Sequence, residues 1–376
     1  MIAPASDPPA PNPAVPNLLA PNLLAPNLLA QHLARRIAAS GPLTLAEFMA
    51  EALLHPDHGY YTTREPFGTQ GDFTTAPEIS QMFGELLGLC LAQAWVDQGC
   101  PPAFVLAELG PGRGTLMADL LRATRRVPGF HAAAQLYLVE ASPRLRARQR
   151  AALGNHPADW AADLRDLPDG PLFLVANEFF DALPIRQFLR DPAGWRERLL
   201  GLQDGRLAFG WGAPLPLAAL QDRLADTIPG DMVETCAPAQ GIAGQIGARI
   251  AARGGLALLI DYGGWRSLGD TFQALSAHRF TDPLAAPGQA DLTAHVDFEA
   301  LARAADPARC HMATQGAFLL ALGVAQRSAA LARRLTGVAL DRHLAASYRL
   351  TAPTEMGSLF KVLALTRATD PAPPGF

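Results

Sequence analysis

Cysteine is scarce in this chain. Its 376 residues hold four, at Cys90, Cys100, Cys236 and Cys310, and none stands in a C-x-x-C pair. That spacing supports neither a zinc site nor a disulfide framework, and reduced thiols are expected. No run of eighteen apolar residues occurs, so no transmembrane helix is expected. There is no basic excess either. The 31 Lys and Arg stand against 35 Asp and Glu, a net charge of −4, which lacks the footprint of a nucleic-acid surface. Lys and Arg are missing from the first thirty residues, which fits neither a secretory signal nor an Arg-rich transit peptide. His55 and His58 suggest a metal pair, but no third ligand of matching spacing stands near them in sequence, so no metal is expected. What is present is 49% hydrophobic and 18% charged, enough for a sizeable core in one large or two modest domains.

The stretch FVLAELGPGRGTLMADLL, residues 104–121, organises the rest. Residues 104–109 form a short apolar run, consistent with a buried strand, with Glu108 near its end. Gly110, Gly112 and Gly114 then permit a sharp turn and close backbone approach to a ligand. From Thr115 the pattern becomes helical, with Leu116, Met117, Leu120 and Leu121 on one face. Strand, glycine turn and helix build a nucleotide site in a doubly wound α/β fold. The dinucleotide fingerprint needs glycine where Thr115 stands, and no Gly-Lys-Ser/Thr follows as a P-loop requires. S-adenosyl-L-methionine (SAM), which has no phosphate, suits the turn better.

Around this stretch the chain reads in order. Residues 1–30 are Pro-rich and repeat Pro-Asn-Leu-Leu-Ala from Pro16, Pro21 and Pro26, which reads as a tail. A helix is expected over 31–39, and a second to Leu54 behind a Thr44–Glu47 capping box. Residues 68–80 form a polar loop, with a helix over 77–98. Core strands are expected at 135–139, 171–176 and 255–260, with a helix at 143–153. Residues 185–211 read as two or three antiparallel strands. An extra strand is expected within 271–278, an N-cap at Asp297, and final strands at 310–314 and 359–365.

Several side chains gather at the predicted strand ends. Glu140 follows the second strand, where a carboxylate accepts both ribose hydroxyls of a bound nucleoside; a helix-capping acid beside Ser142 is the rival reading. Asp163 is a candidate for the adenine amino group, or a surface turn residue. Asn177, Glu178 and Asp181 follow the third strand, where open α/β sheets place active groups. Two carboxylates there suit a cationic nucleophile such as a guanidinium. His295 is the candidate proton acceptor. Asp72 is not explained by the cap-and-turn reading of its loop, which accounts for Thr75 and Pro77.

GDFTTAPEISQMFGE (71–85), ELGPGRGTLM (108–117), NEFFDALPI (177–185) and DLTAHVDF (291–298), in this order, resemble the MidA family of class I SAM-dependent methyltransferases. The resemblance implies a Rossmann-like α/β fold with a seven-stranded, mostly parallel sheet, N-terminal helices and a β-rich insertion. It implies a tail at 1–30, a helical region at 31–100 carrying a cofactor-proximal loop, a methyltransferase domain at 101–369 with an insertion near 185–235, and a C-terminal tail at 370–376. The implied cofactor is SAM. The implied reaction is symmetric dimethylation of an arginine on a protein substrate, possible substrates including a subunit of respiratory complex I. Partners would be that substrate and a second copy of the chain, with no nucleic acid and no membrane insertion. Cofactor contacts would come from Asp72, Thr75, Pro77, Glu108, Gly110, Gly112, Gly114, Glu140, Asp163 and Asn177. Glu178, Asp181 and Glu78 would orient the guanidinium, with Asp72 or His295 taking its proton. The alternatives are a small-molecule methyltransferase and a non-catalytic SAM-binding assembly chaperone. Without presequence character, a bacterial cytoplasmic protein is expected.

Overall fold

The computed structural model describes residues 27–63 and 75–376. Its centre is the strand Phe104–Leu109, buried at every residue. Phe104 and Leu106 enter one apolar layer, while Val105, Ala107 and Leu109 enter the other. That alternation is what a strand covered on both faces requires. The same division splits Phe173 and Val175 from Leu172, Leu174 and Ala176. Helices Gln81–Asp97 and Thr115–Thr124 cover one face, and Ala237–Arg253 and Phe298–Ala304 the other.

Across the sheet the strands run Arg309–Thr314, Phe360–Thr366, Gly255–Gly264, Leu172–Asn177, Phe104–Leu109, Ala134–Val139 and Asp159–Ala161. Phe360–Thr366 is antiparallel to both neighbours, and the other pairings along this order are parallel. The expected seven-strand order is therefore present, with the two-residue strand Val296–Asp297 added beside Gly255–Gly264. From Phe104–Leu109 the next strand in sequence lies on one side and Leu172–Asn177 on the other. Between such diverging connections the carboxyl ends leave a crevice.

Several elements differ from expectation. The helix expected over 77–98 is broken. A turn Ala76–Ile79 precedes Gln81–Asp97, because Ser80 is extended and its Oγ accepts from Met82 N at 3.2 Å. The insertion forms three strands, Arg186–Asp191, Gly194–Gln203 and Arg206–Trp211. It also recruits Met232–Thr235 and, from the N-terminal region, Leu43–Thr44. Helix Leu28–Ser40 starts within the segment expected to be a tail. Asn27 Oδ1 accepts from Ala30 N at 2.7 Å, its Nδ2 donates to Pro287 O at 3.0 Å, and Leu29 and Leu33 are buried. Residues 27–30 of the third Pro-Asn-Leu-Leu-Ala repeat are thus a helix start, and the first two repeats lie outside the described residues. The C-terminal residues also pack. Arg367 donates to buried Asp370 at 2.8 Å, and the rings of Phe376 and Phe318 lie 5.2 Å apart. No helix among the described residues is long and apolar enough to cross a membrane.

Candidate cofactor cleft and active site

Gly110, Gly112 and Gly114 have φ of 60°, 51° and 82°, the left-handed region that glycine enters at little cost. Gly110 and Gly112 line an open cleft. Thr75, Pro77 and Glu78 form one wall; Glu108, Asn177 and Glu178 contribute from the strand ends. Gly114 does not line it. A Cβ on Gly114 would sit 3.2 Å from Gln149 Cα, and one on Gly110 would sit 2.8 Å from Phe179 Cδ2. The bare backbone at these two glycines therefore admits protein neighbours as well as shaping the turn.

The wall at 75–79 is tied down at two points. Glu178 Oε1 accepts from Ala76 N at 3.1 Å, and Thr115 Oγ1 donates to Glu78 Oε1 at 2.6 Å. Arg113 adds a 3.6 Å ion pair with Glu78. Glu178 occupies a left-handed conformation, φ 51°, unusual for a residue with a side chain. Burial, then the nearby Asp181, push its carboxyl up to about 7. Asn177 donates from Nδ2 to Glu178 Oε1 at 3.1 Å.

Two buried acceptors in the cleft, Glu108 Oε2 and Asn177 Oδ1, have no hydrogen-bond partner among the described residues. Burial pushes the Glu108 carboxyl up to about 8. Buried polar atoms are rarely left unpaired, so these two point to donors on a ligand. The N-terminus of helix Thr115–Thr124 follows the glycine turn and offers backbone N–H groups to an anion. The Glu108 acceptor for an ammonium, beside donors for a carboxylate, fits the amino-acid end of SAM.

Glu140 does not line the cleft. Its Oε1 accepts from Ser142 N at 2.8 Å, and Ser142 is the N-cap of the helix that follows. It is nevertheless linked to the glycine turn. Gln149 Nε2 donates to Gly112 O at 2.9 Å and to Glu140 Oε2 at 3.3 Å, while Trp160 Nε1 donates to Gln149 Oε1 at 2.7 Å. Gln149 is fully buried and was not singled out from the sequence. Its signal was a polar residue four positions after Leu145 and four before Leu153, on the helix's buried side.

Behind the cleft lies a buried carboxyl cluster. Asp181 is buried and hydrogen-bonded to the Tyr262 side chain, and burial pushes its carboxyl up to about 6. Asp261, also missed, accepts on Oδ2 from Phe180 N at 3.0 Å and Asp181 N at 3.2 Å. It therefore pins the turn that presents Asn177 and Glu178. Burial, then the charges on Asp181 and Glu178, hold it well above the usual carboxylate range. A carboxylate closing the apolar run of residues 255–260 was the available signal.

Other candidates lie elsewhere. Asp163 caps an exposed 3-10 turn and binds Arg165 at 2.9 Å, which holds its carboxyl down at about 2. His295 lines a separate cavity with Glu234 and Cys236, its ring 5.3 Å from that of Tyr262. Asp72 lies outside the described residues. The third metal-capable residue not seen near His55 comes from a preceding helix: His32, Glu51 and His55 bring ligand atoms within 4.8 Å of one another. Arg36 already donates to Glu51 at 3.0 Å.

This sheet order, its single antiparallel strand, and a glycine turn opening onto unpartnered buried acceptors define a class I SAM-dependent methyltransferase. The comparisons agree. The family model described as "Putative S-adenosyl-L-methionine-dependent methyltransferase" matches residues 86–316. The protein arginine methyltransferase NDUFAF7, mitochondrial, of Xenopus laevis is 37% identical over 360 residues, covering 88% of this chain and 82% of the relative. The Homo sapiens protein of that name is 36% identical, covering 89% and 82%. A solved structure from Burkholderia thailandensis, bound to S-adenosyl-homocysteine, is 31% identical with a TM-score of 0.80, covering 93% of this chain and 94% of that one. The chain belongs to the MidA family of SAM-dependent methyltransferases.

One expectation is overturned here. The curated relatives are mitochondrial proteins of eukaryotes, which counts against the bacterial cytoplasmic placement. That placement rested on the composition of the first thirty residues, and a tail's composition does not carry a compartment.

Proposed function

We propose that this methyltransferase modifies an arginine on a protein substrate, by symmetric dimethylation, and that the substrate belongs to respiratory complex I or its assembly. The observation that carries the acceptor's chemistry is the carboxyl cluster of Glu178, Asp181 and Asp261 beside the cleft, which favours a cationic acceptor over a neutral or anionic one. The names of the curated relatives support arginine as that cation.

Bound SAM supplies a methyl group activated on a sulfonium: the N–C bond forms as the S–C bond breaks, and the sulfur leaves as a neutral thioether. The protein aligns the reactants and excludes water. Glu108 would take the cofactor's ammonium, and the N-terminus of the helix after Gly114 would hold its carboxylate. Glu140, held by Gln149 outside the cleft lining, would take the ribose hydroxyls. Thr75, Pro77 and Glu78 close the outer wall. Glu178, near 7, is suited to accept the proton released by the methylated nitrogen, a role in which its pKa lies close to the working pH. Asp181 acts through its charge from behind the turn. Asp163 is left to its own turn and Arg165.

The test is quantitative mass spectrometry of methylarginine in cells with and without the gene. Loss of symmetric dimethylarginine from one or a few proteins, restored by the wild-type gene and not by a Gly112→Val variant, is expected. An unchanged methylarginine pattern would refute the arginine assignment.

A further inference from the structure

The two unpartnered acceptors of the cleft differ in charge and in position. Glu108 lies on the strand that runs into the glycine turn, and Asn177 ends the adjacent strand. Adjacent strands lie about 4.8 Å apart, and Asn177 stands on the side bonded to Glu178, while Glu108 stands on the side of the glycine turn. Asn177 is 8% exposed, and its Oδ1 is buried without a partner among the described residues.

The orientation of this amide is set by its neighbours. Nδ2 donates to Glu178 Oε1 at 3.1 Å, and turning the amide over would oppose a carbonyl oxygen to a carboxylate. Glu178 is held in turn: its N–H donates to Ile260 O at 2.9 Å and its Oε1 accepts from Ala76 N at 3.1 Å. The carbonyl end of Asn177 is therefore the end turned away from Glu178. Beside it, the Phe179 ring lies against Gly110 and the apolar layer beneath the turn.

We infer that Asn177 Oδ1 accepts an N–H from the nitrogen that receives the methyl group. This rests on the methyl-transfer reading above but does not require the nitrogen to be arginine's. A neutral acceptor suits this position. A carboxylate on the attacked nitrogen would favour its cationic, protonated form and withhold the lone pair. A carbonyl aligns the N–H without that penalty. As the N–C bond forms, the N–H held by Asn177 stays in place, and the nitrogen's surplus proton goes to Glu178. A thiolate or carboxylate acceptor has no proton to offer, so its lone pairs would face that of Asn177.

The test separates cofactor from acceptor. SAM affinity is measured by calorimetry, and methyl transfer from tritiated SAM into a lysate of cells lacking the gene is measured for wild type, Asn177→Ala and Asn177→Ser. Loss of one hydrogen bond to a charged or developing-charge group predicts a fall in labelling of about 10- to 100-fold in Asn177→Ala, partly recovered in Asn177→Ser, with SAM affinity within about threefold. A matching loss of SAM affinity would assign Asn177 to the cofactor and overturn the inference, as would unchanged labelling. Should the variants not fold, crystals of the wild-type chain soaked with S-adenosylhomocysteine and ethylguanidinium decide it. A guanidinium nitrogen within about 3.2 Å of Asn177 Oδ1 is expected. The cofactor's ammonium at that oxygen, or a guanidinium seated in the cleft with its nitrogens bonded to other groups, overturns the inference. Label recovered on a nitrogen other than arginine's, still lost in Asn177→Ala, would refute the arginine assignment alone.

Discussion

The Gln149 side chain donates to the carbonyl of Gly112 at 2.9 Å, joining a helix to the middle of the glycine turn 37 residues earlier. The same nitrogen reaches Glu140, so one buried amide sets the relative position of turn and acid. Replacing Gln149 by Leu keeps the volume but leaves Gly112 O, Trp160 Nε1 and Glu140 short of a partner. Buried groups so stranded cost about 1–3 kcal/mol each. We expect a clear fall in melting temperature and SAM binding weakened about tenfold or more. Calorimetry and thermal unfolding check both, and full cofactor affinity in Gln149→Leu would show that the turn holds its shape alone.

Thr115 Oγ1 donates to Glu78 at 2.6 Å and so fastens the outer wall to the helix behind the glycines. Thr115→Val is nearly isosteric and removes only that bond. A single hydrogen bond to a carboxylate is worth about 1.5–3 kcal/mol at most. Since the pair is half-exposed, we expect a global stability loss near the lower end and SAM affinity lowered about three- to tenfold. Equal losses on holo and apo stability would mean that the bond supports the fold and not the closed wall.

Local patterning explains which parts of this site were legible. Strand Phe104–Leu109, the glycine turn and helix Thr115–Thr124 are contiguous, and their apolar spacing changes at the turn itself. Asn177 and Glu178 were legible because a buried strand ends in polar residues. Gln149 and Asp261 were not, because their roles exist only through contacts 37 and 80–81 residues away. Leu43–Thr44 joins the insertion sheet by pairing with Leu199 and Leu200, which no local periodicity encodes. The break at Ser80 was hidden because Pro77 and Glu78 alone read as the start of one long helix. His32 escaped notice as a neighbour of His55 for the same reason of distance.

The raised carboxyl of Glu108 predicts a pH dependence with a definite sign. Its ordinary value of 4.5 is pushed up to about 8 by burial, so the native state prefers the protonated form. The stabilisation is complete below the unfolded value and is lost as pH rises through the folded one. Glu178, at about 7, and Asp181, at about 6, extend the same trend to lower pH. The cofactor-free protein is therefore expected to melt progressively lower from pH 6 to pH 9, with a total loss of a few kcal/mol. Glu108→Gln should flatten part of that fall while weakening SAM binding. Because the cofactor's cation favours ionised Glu108, binding near pH 7 should also release close to one proton, read from calorimetry in buffers of different ionisation enthalpy. A melting temperature that rises with pH over this range would contradict the effect of burial on the Glu108 carboxyl.

Asp163 provides the complementary negative test. It is bound to Arg165 on the surface and is absent from the cleft lining. Exposed ion pairs contribute little. Asp163→Ala is expected to leave SAM affinity within about twofold, since the carboxylate's contacts are the Arg165 ion pair and the cap on its own turn. A tenfold loss would restore the adenine role and require the exposed turn to move on binding.

Gly110 meets two separate constraints, and a double-mutant cycle resolves them. Its φ of 60° strains any residue with a Cβ, and that Cβ would lie 2.8 Å from the Phe179 ring. The conformational part costs about 1–2 kcal/mol, and overpacking adds about 1–3 kcal/mol. Gly110→Ala alone should therefore lose about 2–4 kcal/mol of stability, while the same change in a Phe179→Ala background should lose only the conformational part. Urea unfolding of the four proteins gives the coupling directly. If Gly110→Ala costs the same in both backgrounds, the ring yields without resistance, and the requirement for glycine at 110 is set by the left-handed turn alone.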